Sequence, residues 1–157
     1  MEVRRDHVPE QDVKAFLRSA YEARLERVGC ERLLFLLRQE RAALERPCSN
    51  EKVLRPDRDA LCRMLEGQER ELTEQIADCC GRMRQVMKLI DTLPDRKQRA
   101  ILFLRYVEAM EWPVLRETLE KEYALWYEER QIFRLHNAAL RELQRRWEEQ
   151  SGSNCAG

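Results

Sequence analysis

The sequence predicts an all-α protein: a long antiparallel, coiled-coil-like helical hairpin followed by a smaller three-helix module. Three observations predict it. Charged residues make up 37% of the 157 residues and aromatics 7%, with only five Gly and five Pro. Many charges on recurring Leu, with few breakers, favour long helices over sheet. Apolar residues recur at helical spacing through two long stretches. The breakers gather at two places, Pro47-Cys48-Ser49-Asn50 with Pro56, and Asp91-Thr92-Leu93-Pro94, which divide the chain.

Residues 1–10 are charged and lack apolar periodicity, and are read as an N-terminal extension. The first long helix opens after Pro9 and runs to about Arg46. Its expected apolar stripe is Val13, Phe16, Leu17, Ala20, Leu25, Val28, Leu33, Leu36, Leu37 and Leu44. Gly29, mid-helix, marks a close approach, a slight bend, or nothing. Asp57 suits the N-cap of the second long helix. There Leu65, Leu72, Ile76, Cys79, Met83, Val86, Ile90 and Leu93 form a heptad seam from Leu72 onward. Two such helices joined by a short loop fold back on one another over residues 11–91. A two-helix hairpin has little interior, so it is expected to self-associate as a homodimer or higher oligomer, or else to pack on the C-terminal helices.

Residues 92–149 carry the module, and 150–157 read as a disordered tail. Asp95 caps a helix to about Glu108 that buries Ile101, Leu104 and Val107. Pro113, after Trp112, suits the first turn of a second helix ending near Lys121 or Tyr123, with Leu115 and Leu119 inside. The third helix, about Glu128 to Trp147, has two faces at about 100° per residue. Ile132, Leu135, Ala139, Leu143 and Trp147 share one side; Arg130, Arg134, Arg141 and Arg145 share the other, with Asn137 at its edge. An outward Arg face fits a solvated amphipathic helix or the reading helix of a helix-turn-helix.

The net charge of +0 hides a segregation. Glu108 to Glu129 holds seven acidic and two basic residues, whereas Arg130 to Trp147 holds five Arg and one Glu. The longest apolar runs, Leu33 to Leu37 and Ala100 to Leu104, are five residues each, against about 20 for a membrane span. Without such a segment or a signal peptide the protein is expected to be soluble and cytoplasmic. The six cysteines show no CxxC spacing, and neither His7 nor His136 has a Cys nearby, so neither a metal nor a disulfide framework is expected. No Gly-rich phosphate loop or nucleophile–base set is visible, which argues against an enzyme and against a cofactor.

Leu104-Arg105-Tyr106, Glu111-Trp112, Tyr127-Glu128-Glu129-Arg130-Gln131-Ile132-Phe133-Arg134-Leu135-His136 and Ala139-Leu140 together resemble a family of small phage and prophage proteins of Gram-positive bacteria. Its members are described as late-gene transcriptional regulators or as a domain of unknown function. Their C-terminal half is similar to region 4 of sigma factors, the helix-turn-helix that reads the −35 promoter element. The chain departs from that pattern at Leu115-Arg116, at Glu128 in place of Ser, and in a longer turn that lacks Gly.

The resemblance implies a phage-derived regulator binding double-stranded DNA, with RNA polymerase as a further partner. Arg130, Gln131 and Arg134 would reach base edges in the major groove, and Asn137, Arg141 and Arg145 would touch phosphates. The alternative is a protein–protein module, binding polymerase or a phage packaging or assembly partner, that reads no DNA. His136 is expected to be a packed or hydrogen-bonded histidine rather than a catalytic one.

Overall fold

The computed structural model describes residues 9–46 and 55–155, and the side chains from 13 to 46, from 57 to 150, and of Gly152. Every regular element among them is helical: α1 (Pro9–Glu45), α2 (Arg55–Asp91), α3 (Arg96–Leu102), α4 (Trp112–Tyr123) and α5 (Glu129–Cys155). No helix among the described residues is long and apolar enough to cross a membrane. The turn residues 47–50 and residues 1–8 of the N-terminal extension lie outside the described residues, and residues 9 and 10 of that extension belong to α1.

The chain packs as two compact units, one of residues 23–81 and the other of residues up to 22 together with 82 onward. In the first, α1 and α2 run antiparallel. The Cys30 thiol donates to Gln75 at 3.4 Å, and Arg41 grips Glu69 with Nε at 2.8 Å and Nη2 at 3.2 Å. Nearer the turn, the Arg58 guanidinium donates to the carbonyls of Leu44 and Arg46. Carboxylates of Glu45, Glu66 and Glu69 surround Arg41, and its hydrogen bond to Glu69 leads in holding its pKa above the usual value.

The stripe expected on α1 is corrected here. Of its members Leu37 and Leu44 are half-buried and Leu25, Val28, Leu33 and Leu36 are exposed, while Ala23, Cys30 and Leu34, outside that stripe, are the buried ones. A single partner helix covers only one seam, and the small Ala23 and Cys30 suit a close approach better than the larger side chains do. On α2 the heptad reading holds better. Leu65, Cys79, Met83, Val86, Ile90 and Leu93 are buried, and Leu72 and Ile76 half-buried. A Cβ at Gly29 would meet nothing within 4 Å, so that glycine marks no close approach.

In the second unit Val13, Leu17 and Ala20 of α1, and Val86, Leu89 and Ile90 of α2, are buried. Phe16 packs against Trp147 of α5, ring centroids 4.6 Å apart, beside Leu89. A second cluster, formed by Ala100, Ile101, Leu104, Leu115, Leu119 and Ile132, joins α3, α4 and α5. α5 continues to Cys155 rather than giving way to a tail at 150. Side-chain bonds one turn apart, Gln144 to Glu148 and Arg145 to Glu149, support its later turns.

Candidate nucleic-acid interface

Asp95 caps α3 by accepting the Lys97 N–H at 2.9 Å, and Arg99 donates to the carbonyls of Leu93 and Pro94 at 2.6 and 3.1 Å. The helix reaches Val107, close to the expected end, but its last turn widens. Phe103–Val107 is π-helical, and the Glu108 N–H bonds the Phe103 carbonyl at 3.0 Å. Ala109 then takes φ 57, and the Met110 N–H returns to the Leu104 carbonyl at 3.0 Å.

α4 repeats this ending: Ala124 takes φ 55, and the Leu125 N–H returns to the Leu119 carbonyl at 3.0 Å. Alanine therefore occupies two left-handed positions where glycine is the unstrained residue. That answers the missing Gly of the turn: the chain reverses there on a strained alanine instead.

At the start of α5, Gln131 supplies one half of a capping box. Its Oε1 accepts the Glu128 N–H at 3.0 Å, while the Glu128 carbonyl accepts the Ile132 N–H at 3.1 Å. Ile132, Ala139 and Leu143 are buried as expected; Leu135 and Trp147 are half-buried, and His136, Leu140 and Gln144 join the buried face. The inner side is thus rotated toward His136.

His136 sits in an aromatic frame. Its Nε2 lies 2.9 Å from the Tyr106 hydroxyl, and its ring meets the edge of Trp112 at 4.9 Å. Trp112 also meets Phe133 edge-on at 4.9 Å, and the Arg105 guanidinium lies 4.5 Å over its ring. Arg105 in turn donates to the Met110 carbonyl at 2.9 Å. Burial pushes the His136 pKa down to about 4; a hydrogen bond with the Asn137 side chain opposes it, and Lys14 and Arg105 act in the sense of burial. Burial likewise pushes the Tyr106 hydroxyl above its ordinary value. Two neutral rings can share this hydrogen bond in either sense, so the site holds α5 against α3 and α4 without a buried charge.

The six residues expected to face DNA, Arg130, Gln131, Arg134, Asn137, Arg141 and Arg145, are all exposed on α5. Their chemistry is not uniform. The Gln131 oxygen belongs to the cap. Arg145 is held by Glu142 and Glu149, each at 2.6 Å, and Arg146 also meets Glu142 at 3.1 Å. Arg130, Arg134 and Arg141 enter no hydrogen bond or ion pair within the described residues. Three guanidinium groups therefore stand ready for an anionic partner, fewer than the spacing alone suggests.

Sequence reasoning passed over two features nearby. Leu115 is buried and Arg116 exposed, so the departure there lies partly off the core. Arg116, Trp112, Pro113, Glu129, Ile132 and Phe133 line a recess of about 130 Å³ between the first turns of α4 and α5. Trp126, in the turn before α5, is 76% exposed. Periodicity gives no signal for a turn residue, so only its residue type marked it. Comparison with family models, with curated proteins and with solved structures returned no match.

Proposed function

We propose that this chain is a sequence-specific DNA-binding transcriptional regulator of phage or prophage type that presents α5 to the major groove. The observation that carries this reading is the row of exposed arginines, Arg130, Arg134 and Arg141, unpaired among the described residues, on a helix whose other face is anchored in the α3–α4 core. Arg130 and Arg134, in the N-terminal half of α5, are assigned to base edges and Arg141 to phosphate. Gln131 and Arg145 become secondary, since each is already engaged. Asn137, exposed between Arg134 and Arg141, is assigned to the DNA backbone, but it too becomes secondary, since its side chain bonds His136.

Duplexes selected from a random pool by the purified chain provide the test. The one arginine assigned to phosphate, Arg141, corresponds to a log–log salt slope of about −0.9. Arg130→Ala/Arg134→Ala should abolish sequence preference, and Arg141→Ala should flatten that slope. Absence of salt-dependent binding to any duplex would remove the proposal.

Trp126 favours a second reading, contact with a protein such as RNA polymerase. A tryptophan 76% exposed, within the acidic stretch that ends at Glu129, suits an interface anchor. Retention of polymerase by the wild-type chain but not by Trp126→Ala, without DNA binding, would select that reading.

A further inference from the structure

In residues 23–81 the large apolar side chains are found more outside than inside. The buried apolar residues are Ala23, Cys30, Leu34, Leu65 and Cys79, while Leu25 is 56%, Val28 52% and Phe35 60% exposed. The exposed ones are ordered. Leu25, Val28, Arg32, Phe35, Gln39 and Ala42 follow one another in alternating three- and four-residue steps, and all six are exposed. This is a second heptad seam on α1, set apart from the one that meets α2. Heptad spacing selects an α-helix as the occupant.

We propose that this seam pairs, antiparallel, with the same seam of a second copy of the chain. A second copy supplies a matching helix of the same spacing, and the order of residues decides the direction. In a parallel pair each position meets itself, which would place Arg32 on Arg32 at the centre, two like charges in a desolvated seam. In an antiparallel pair centred between Arg32 and Phe35, each Arg32 lies on Phe35 of the other copy, Val28 meets Gln39, and Leu25 meets the small Ala42. The guanidinium then has an aromatic face rather than a like charge opposite it. The positions flanking this seam are Glu31 and Arg38 on one rim, opposite charges that approach each other between the two copies, and Gly29 and the exposed Leu36 on the other.

Sedimentation equilibrium of the full chain, without DNA, tests this. The wild type should be a dimer. Phe35→Arg places Arg against Arg32 of the other copy and should weaken dimerisation by about a hundredfold or more. Phe35→Glu gives Arg32 a carboxylate and should remain dimeric. Val28→Asp should be monomeric. Because Val28 and Phe35 are exposed within the chain, circular dichroism should show all three variants as helical as the wild type. A wild type that is monomeric at its highest soluble concentration overturns the proposal, as does a dimer that survives Phe35→Arg and Val28→Asp. If Phe35→Glu dissociates like Phe35→Arg, the antiparallel assignment is overturned. None of these outcomes depends on whether α5 binds DNA.

Discussion

Lowering the pH from about 7 to about 5 should loosen this protein through one residue, His136. In the folded chain its pKa lies at about 4, and in the unfolded chain at the ordinary 6.5. Between those values the unfolded state binds a proton that the folded state refuses, so stability falls as pH falls. It is fully present above the unfolded value and is lost progressively down to the folded one. The two pKa values give a loss of about 2 kcal/mol by pH 5, where most carboxylates still carry their charge. Glu117 and Glu142, each held below the usual carboxylate value first by its hydrogen bond to Lys121 or Arg145, contribute little in that window. Urea unfolding of the wild type and of His136→Gln at both pH values isolates the effect. The wild type should lose about 2 kcal/mol more than the variant over that interval. Proton NMR of the His136 ring supplies an independent reading. Parallel pH dependence in the two proteins, or a ring that titrates above pH 6, would refute the argument that burial beside Tyr106 and Trp112 keeps this imidazole neutral.

Three further outcomes are expected. Gly29→Ala should stabilise α1 by about 0.5–1 kcal/mol in thermal or urea unfolding, because a Cβ there meets nothing and alanine has the higher helix propensity. Ala124→Gly should likewise stabilise by about 1 kcal/mol, relieving a left-handed φ of 55 at the end of α4. In anisotropy titrations on a selected duplex, Arg134→Ala should lose about 1–3 kcal/mol of discrimination, and Arg145→Ala much less, because Glu142 and Glu149 already hold that guanidinium.

Much of the helical architecture is legible in the residues because two devices are local. Breakers mark ends: Asp95 and Pro113 stand where α3 and α4 begin. Periodicity marks faces, as Ile101, Leu104, Leu115, Leu119, Ile132 and Leu143 show by being buried. Choice between competing faces is less legible. On α1 two apolar seams coexist, and only the approach of α2 decides that Ala23 and Cys30 go inside while Leu25 and Val28 stay out. On α5 the outward arginines are foreseeable from spacing, but their availability is not. Whether a guanidinium is free depends on side-chain geometry one turn away, as Glu142 shows by engaging both Arg145 and Arg146. The widened turn at Phe103–Val107 has no sequence signature at all.

That widened turn has a consequence for how the segment tolerates change in length. A π-helical turn accommodates one residue more than the α-helical turn it replaces, so a single deletion between Phe103 and Val107 should heal into an ordinary α-helix rather than break it. The wide turn takes up its additional residue within one revolution, so the healed helix would leave everything beyond the deletion at nearly the same angle around the axis. Removing Phe103 would therefore keep Arg105 by the indole of Trp112 and the Tyr106 phenol by the imidazole. Such a shortened protein would keep both its circular dichroism and the seat of α5.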